Sequence, residues 1–130
     1  MNLLLDTHIW IWSLLEPQRL TNRVRAALED GRNHVWLSPV SIWEAALAAG
    51  RKRLTVDGDV AEWIERSIRA TSPREAPFTY EVALRSVSLK LTTRDPADRF
   101  IAATAAVHGL TLVTADKHLT KTKEFSVLAN

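Results

Sequence analysis

The chain has 130 residues, of which 46% are hydrophobic and 25% charged, with no cysteine and a formal net charge of +2. This length and composition predict one globular domain over residues 1–130, and they exclude a repeat or low-complexity protein, a disulfide framework and a thiolate metal site. No apolar run approaches the roughly 18 residues of a membrane span, and the start of the chain lacks the pattern of a signal peptide, so we expect a cytoplasmic protein without membrane contact.

Short apolar runs alternate along the chain with segments of helical periodicity. The runs are uniformly apolar, which is typical of parallel strands covered on both faces, so we predict an α/β layered fold with right-handed crossovers. No strand is predicted between the two middle helices beyond Pro77-Phe78. In chain order the predicted elements are strand Asn2–Leu5, helix Thr7–Leu15, helix Asn22–Asp30, strand Val35–Leu37, a helix from Pro39 to Gly50, helices Asp59–Ala70, Thr79–Lys90 and Asp98–Val107, strand Thr111–Val113, a helical turn at Asp116–Lys121 and strand Phe125–Leu128.

Capping residues mark three of the helix starts. Thr21 precedes the second helix, and Ser38-Pro39 and Asp95-Pro96 each combine a capping side chain with proline at the first helical position. This pattern assigns Asp95 to a helix cap.

Four carboxylates lie just after predicted strands or on neighbouring helices. Asp6 follows the first strand, Glu44 lies on the helix after the second strand, Asp98 opens a helical run, and Asp116 follows the Thr111 strand. In alternating strand-helix proteins, ligands bind at the carboxyl ends of the strands. Acids gathered there repel one another unless a cation lies between them, so we predict a divalent metal site.

Each acid has a purely structural explanation, with one exception. Asp6 is explained as a helix cap, Asp98 as an acid favoured by a helix dipole, and Asp116 as a turn residue. Glu44 resists this kind of explanation because it lies within the apolar segment Ile42–Leu47, where an ionised carboxylate is costly without a partner.

The available ligands favour a hard cation. Oxygen ligands without cysteine or clustered histidine favour Mg²⁺ or Mn²⁺ over zinc, and the four histidines are expected at surface or packing positions. The phosphate-binding patterns G-x-x-x-x-G-K-[ST] and G-x-G-x-x-G and the nucleophile pattern G-x-S-x-G are absent. A D-x-D phosphatase needs an acid where the chain has His8, and a receiver domain needs a phosphoacceptor that the mid-chain strand lacks.

Four segments, in this order, resemble PIN-domain ribonucleases, and specifically the VapC-like toxins of bacterial toxin–antitoxin pairs. They are Leu4–His8, Ser41–Glu44, Arg94–Ala105 and Leu112–Asp116. The resemblance implies a five-stranded parallel sheet with helices on both faces. It also implies a metal-dependent endoribonuclease that is often a homodimer and is neutralised by a small antitoxin.

The resemblance also implies roles for individual residues. Asp6, Glu44, Asp98 and Asp116 match the acids that bind Mg²⁺ or Mn²⁺ and carry catalysis, and Thr7 and Thr114 match positions that support the site through hydroxyl hydrogen bonds. Asp95 is additional to this quartet, and the helix-cap assignment is preferred for it.

Basic residues are candidates for gripping the phosphate backbone of RNA. Many relatives have Gly-Lys-Leu after the helix that bears the glutamate, where this chain has Gly50-Arg51-Lys52-Arg53-Leu54, and Arg99 is similar to the arginine of a D-P-x-D-R subgroup. Arg51, Lys52, Arg53 and Arg99 are therefore candidate RNA contacts, with solvated helix faces as the alternative explanation.

Two other functions remain open at this point. A PIN-like scaffold that binds RNA or a partner without cutting is one, although it has no need of mutually repelling acids. A flap-type DNA nuclease is disfavoured because the chain is too short for the additional DNA-binding elements.

The tryptophans give a separate expectation about packing. Trp43 and Trp63 occupy apolar helical positions and are predicted to be core residues. Trp10 and Trp12 lie on different faces of the first helix, so we expect unequal burial, with one of them marking a dimer or antitoxin surface.

Overall fold

The computed structural model describes residues 1–52 and 54–130. Its strands are β1 (Asn2–Leu5), β2 (His34–Leu37), β3 (Arg74–Glu75), β4 (Thr111–Thr114) and β5 (Val127–Ala129). Its α-helices are α1 (Thr7–Leu15), α2 (Asn22–Glu29), α3 (Pro39–Gly50), α4 (Val60–Thr71), α5 (Tyr80–Ser88), α6 (Pro96–His108) and α7 (Lys117–Thr120), with a 3₁₀ turn at Pro17–Arg19.

The five strands form one sheet in the order β3-β2-β1-β4-β5, and every neighbouring pair is parallel. The first strand is central: Leu3 is paired with Val35 of β2 and with Thr111 of β4. Because all strands run the same way, their carboxyl ends lie at one edge of the sheet. The predicted α/β architecture with a five-stranded parallel sheet is confirmed.

Successive residues of the central strands enter two different hydrophobic clusters. Leu4 and Leu112 pack on one face with Ile101 of α6, whereas Leu3 and Val113 pack on the other face. The second cluster includes residues of α1, α2 and α3, so helices cover both faces, as predicted. Burying a leucine or isoleucine side chain stabilises a fold by about 1.5–3 kcal/mol, which explains why these short strands contain no polar residue in their central positions.

The helix starts follow the capping pattern. The side chains of Thr21, Ser38 and Asp95 accept hydrogen bonds from backbone amides of the first turns of α2, α3 and α6. Asp59 and Thr79 cap α4 and α5 in the same way. These two residues were predicted as the first helical residues, and the helices begin one residue later because the capping residue keeps an extended backbone.

Strand β3 was not predicted, and the only candidate named between the two middle helices, Pro77-Phe78, lies just after it. This strand has only two residues, both exposed, and it is paired with Trp36 and Leu37 at the edge of the sheet. Its signal is absent from the pattern of apolar residues because Arg74 and Glu75 contribute backbone hydrogen bonds rather than buried side chains.

One prediction about the core is wrong. Trp63 is buried, but Trp43 is 58% exposed. The buried positions of α3 are Ser41 and Ala45, and a residue two positions from each lies on the opposite side of a helix. The apolar character of α3 is nearly uniform, so its periodicity did not reveal which side is packed.

The expectation of unequal burial in α1 is confirmed. Trp10 is 1% exposed, whereas Trp12 is half-buried beneath the guanidinium of Arg19, 4.2 Å from the ring centroid. Across residues 1–52 and 54–130, every helix falls short of the length and apolar character that a membrane crossing requires.

Candidate functional site

The four predicted acids lie on segments that leave the carboxyl edge of the sheet or pack beside it. Asp6 is the residue between β1 and α1, and Asp116 lies two residues after β4, which is the neighbour of β1. Glu44 lies on α3, which follows β2, the other neighbour of β1. Asp98 lies in the first turn of α6.

Asp6 is the buried centre of the group. Its backbone amide donates to Val113 of β4 at 3.0 Å, and this bond extends the sheet ladder by one residue. One carboxylate oxygen accepts from the Thr7 amide and the other from the Thr114 hydroxyl, both at 2.7 Å. Burial raises the pKa of Asp6 above its ordinary value, against the opposing effect of these hydrogen bonds.

Thr7 connects this centre to Glu44. The Thr7 hydroxyl lies 2.6 Å from a carboxylate oxygen of Glu44 and 2.9 Å from the Ser41 hydroxyl. Because the threonine has one hydroxyl hydrogen, it donates to the charged acceptor and accepts from Ser41. Burial is the largest cause of the raised pKa of Glu44, and the Thr7 hydrogen bond opposes it.

Thr114 makes the corresponding connection to Asp116. Its hydroxyl donates to Asp6 and accepts from the Asp116 backbone amide at 3.0 Å. The Asp116 carboxylate in turn accepts from the His118 amide at 2.8 Å, which fixes the start of α7. The two threonines therefore form hydrogen bonds at the positions where supporting hydroxyls were predicted.

Asp98 interacts electrostatically with the other acids of the group. Burial and the charges of Asp95, Asp6, Asp116 and Glu44, in that order of effect, raise the pKa of Asp98 to about 7. An acid in the first turn of a helix is ordinarily stabilised in its charged form by the exposed amides. Burial and repulsion outweigh that effect here, so the carboxylates occupy one shared electrostatic neighbourhood.

Asp95 is a helix cap, as predicted. One of its carboxylate oxygens accepts from the amides of Ala97 and Asp98, at 2.9 and 3.4 Å. The same carboxylate contributes to the raised pKa values of Glu44 and Asp98, so it adds negative charge to the site.

The donor set fits a hard divalent cation. It consists of carboxylate oxygens, which are the ligands of Mg²⁺ and Mn²⁺, and two of the acids are held by hydroxyl donors. Within the part of the chain that the structure describes, no group of three or more His, Asp or Glu side chains is arranged to hold a metal ion. Mg²⁺ sites commonly use few carboxylates together with water, so the fit lies in the chemistry of the donors.

Two residues near the acids were not assigned to the site from the sequence. Ser41 lies one helical turn before Glu44 and supports Thr7, and its i,i+3 spacing from Glu44 was the available signal. His8 was expected at the surface, and it is exposed there against Trp12. Its charge nevertheless lowers the pKa values of Asp6 and Glu44, against the larger effect of burial.

Arg99 has a structural role that the sequence did not reveal. Its guanidinium donates to the backbone carbonyls of Ser86 at 2.8 Å, Leu89 at 2.6 Å and Thr93 at 3.0 Å. These contacts tie the end of α5 and the following connection to the first turn of α6, which carries Asp98. The contact with RNA stays a prediction and would be a separate role for this residue.

The remaining basic candidates are only partly located. Arg51 and Lys52 are exposed at the end of α3, and Arg53 lies outside the described residues. Their contact with RNA stays a prediction.

Comparisons with known proteins agree with this architecture. A family model described as PIN domain matches residues 3–124. The chain is 36% identical over 117 residues to Ribonuclease VapC22 of Mycobacterium tuberculosis, covering 89% of this chain and 88% of that protein. Among solved structures, FitAcB of Neisseria gonorrhoeae is similar with a TM-score of 0.63 and 26% identity, covering 97% of this chain and 96% of that one. VapBC2 of Rickettsia felis bound to a promoter DNA fragment has a TM-score of 0.71 at 16% identity, covering 99% and 98%, which is a likeness of fold.

Removing the Arg99 side chain should destabilise the fold. We expect Arg99→Ala to lower the free energy of unfolding by about 2–4 kcal/mol, because three carbonyls lose a charged donor. Arg94→Ala is the matched control, since Arg94 is exposed in the same connection, and it should change stability by less than about 0.5 kcal/mol. Urea denaturation measures the free energy of unfolding of both variants. Equal losses of stability would contradict the structural role of the hydrogen bonds from Arg99 to the three carbonyls.

The raised pKa of Asp98 predicts a pH-dependent stability in EDTA. The folded state favours the protonated acid, so stability should fall as pH rises from the ordinary value of 3.8 to about 7. Asp98→Asn should therefore melt above the wild type at about pH 8, and the difference should shrink toward about pH 4.

Asp30→Asn is the control of opposite sign for this experiment, because Arg32 lowers the pKa of Asp30. It should gain no stability at the higher pH. The melting temperatures of the wild type and both variants are measured across this pH range. A pH-independent effect of Asp98→Asn would contradict the proposed repulsion.

Proposed function

Because the chain belongs to the PIN-domain family, we propose that it is a metal-dependent endoribonuclease that acts as the toxin of a toxin–antitoxin pair. Its similarity to Ribonuclease VapC22 over most of both chains supports RNA as the substrate. The VapC-like segments, from Leu4–His8 to Leu112–Asp116, support the assignment to a toxin.

One observation carries the proposal. The sheet brings Asp6, Asp116 and Glu44 into one hydrogen-bonded chain: Thr7 connects Glu44 to the segment of Asp6, and Thr114 connects Asp6 to Asp116. Asp98 shares their field. A protein that only scaffolds gains no stability from such a cluster, because the repulsion among the acids is a cost of folding.

We propose that Asp6, Glu44, Asp98 and Asp116 hold one or two Mg²⁺ or Mn²⁺ ions. When bound, the ion supplies a water of lowered pKa for attack on a phosphodiester and offsets the negative charge that builds on the phosphate. The carboxylates would determine where the ion is held relative to the phosphodiester, because their own positions are fixed.

The protein's part is to hold the acids in place before substrate arrives. Thr114 and the Thr7 amide fix both oxygens of Asp6, so its carboxylate plane cannot rotate freely. Thr7 fixes one oxygen of Glu44 and leaves the other without that constraint. Ligands held in this way lose less entropy on binding and bind more tightly.

The proposal includes protein partners, namely a small antitoxin and a second copy of the chain. An apolar stripe supports an interface: Tyr80, Leu84 and Val87 lie on one side of α5 and are 93%, 74% and 82% exposed. Contiguous exposed apolar residues of this kind are typical of interaction surfaces.

We expect the wild type to be a homodimer in analytical ultracentrifugation. The substitution Leu84→Glu should convert it to a monomer, because it places a charge in the apolar stripe. A wild-type monomer at micromolar concentration would contradict the dimer.

The decisive variant is Asp6→Asn. We expect RNA cleavage to fall by at least about a hundredfold, because one central carboxylate charge is lost while the side-chain shape is kept. Manganese should raise the melting temperature of the wild type, and Asp6→Asn should lose most of that rise. Cleavage of a labelled RNA with Mg²⁺ or EDTA and thermal unfolding with Mn²⁺ measure the two effects.

Asp59→Asn is the matched control, since asparagine replaces aspartate equally well as the cap of α4, away from the acid cluster. It should retain both cleavage and the response to Mn²⁺. Undiminished cutting by Asp6→Asn, or by the wild type in EDTA, would contradict the metal-dependent mechanism. A folded wild type that neither cuts nor responds to Mn²⁺ would favour the non-cutting scaffold.

A further inference from the structure

A basic concavity adjoins the acid cluster through α7, and the side chains that line it have no role in the site described so far. It has a volume of about 380 Å³ and is formed by the connection after α5 and by α7 with the residues that follow it. Its polar lining consists of Lys90, Thr92, Lys117, His118, Lys121 and Thr122.

The ammonium groups of this concavity have no ion-pair partner in the part of the chain that the structure describes. Lys90, Lys117 and Lys121 are exposed, and none forms an ion pair with a residue of ranges 1–52 and 54–130. Three ammonium groups around one depression repel each other and concentrate positive potential within it. An anion in the depression would relieve that repulsion.

The walls of the concavity are joined by a side-chain contact. The Thr92 hydroxyl lies 2.9 Å from Nδ1 of His118, which connects the segment after α5 to α7. The same two segments lead to the acids: Asp116 caps α7, and the connection containing Thr92 continues to Asp95 and α6. The cationic depression and the carboxylate cluster therefore share their supporting segments.

We propose that this concavity binds a backbone phosphate of the RNA strand, next to the phosphate that the acid cluster cleaves. The inference rests on the proposed function and adds a subsite to it. An RNA strand that presents one phosphate to the acids is repelled by their negative charge. A neighbouring cationic depression would offset that repulsion by binding the adjacent phosphate.

The chemistry of the lining favours phosphate over a nucleobase. Among the lining residues that the structure describes there is no Phe, Tyr or Trp on which a base would stack, and the imidazole of His118 is hydrogen-bonded to Thr92. Lysine ammonium groups and threonine hydroxyls donate hydrogen bonds to phosphate oxygens. Such contacts fix the position of the strand without reading its sequence. We therefore expect the subsite to contribute affinity with little dependence on sequence.

The test is salt-dependent binding of a fluorescent single-stranded RNA in EDTA, where cutting is suppressed. The double variant Lys90→Gln/Lys121→Gln should weaken binding by about tenfold at low salt. The slope of log affinity against log salt should become less steep by about 0.7, because about 0.7 counterions are released when one phosphate of a single strand is neutralised.

A second double variant, Arg23→Gln/Lys123→Gln, removes the same charge outside the concavity, with Lys123 only two residues from Lys121. It should bind RNA within about twofold of the wild type. Equal losses in the two double variants would overturn the subsite in favour of general surface charge. Unchanged binding by the lysine pair variant would overturn it as well.

Orthophosphate distinguishes an RNA subsite from a site for a free anion. If orthophosphate stabilises the wild type but not the lysine pair variant while RNA binding is equal in both, the concavity takes free phosphate and the RNA subsite is refuted. Cleavage by the wild type with Mg²⁺ is measured separately. Failure of cleavage would count against the proposed nuclease, whereas loss of the binding difference would count against the subsite alone.

Discussion

The arrangement of this protein depends on the repulsion among carboxylates that a parallel sheet gathers at one edge. The strand order places β1 between β2 and β4, so the segments leaving these strands are neighbours. Acids on such segments are close because the backbone brings them together, and burial of Asp6, Glu44 and Asp98 then makes their charges costly. The stability of the hydrophobic core on both faces of the sheet is what allows the fold to tolerate that cost.

The cost remains because the basic residues of the chain do not neutralise the acids. None of the four acids forms an ion pair within the described ranges, and the pairs that do form involve other carboxylates. Arg99 is the residue after Asp98, but its guanidinium is directed to three backbone carbonyls. Hydroxyl groups of Thr7 and Thr114 supply the contacts instead, and these hold a carboxylate without cancelling its charge.

The features that have local causes were predictable from the sequence. The caps Thr21, Ser38 and Asp95 were recognisable because a capping side chain bonds to amides within its own turn. Asp6 and Asp116 were recognisable because each follows an apolar strand, Glu44 because it lies in an apolar helix, and Asp98 because it opens a helical run. Features with non-local causes were missed. The edge strand Arg74–Glu75 exists only because it is paired with β2, and the hydrogen bonds of Arg99 to backbone carbonyls require the end of α5 to lie against α6. Trp43 was misplaced because a nearly uniform apolar helix does not show which side its neighbours cover.

In the proposed nuclease, the carboxylates and the lysines near the sheet edge would have complementary roles in binding RNA. Carboxylates alone repel RNA, and lysines alone bind it without cutting. A cluster of acids that retains its charge attracts a small cation, while the lysines at a separate depression remain available for a phosphate. If Lys90 or Lys121 were paired with the acids, both capacities would be lost, because the acids would bind cations weakly and the lysines would no longer attract the strand. Separation of the acids from the nearby bases, through the use of threonine hydroxyls as supports and of Arg99 on backbone carbonyls, is therefore the condition under which one small sheet edge would both hold the proposed metal and bind the proposed RNA substrate.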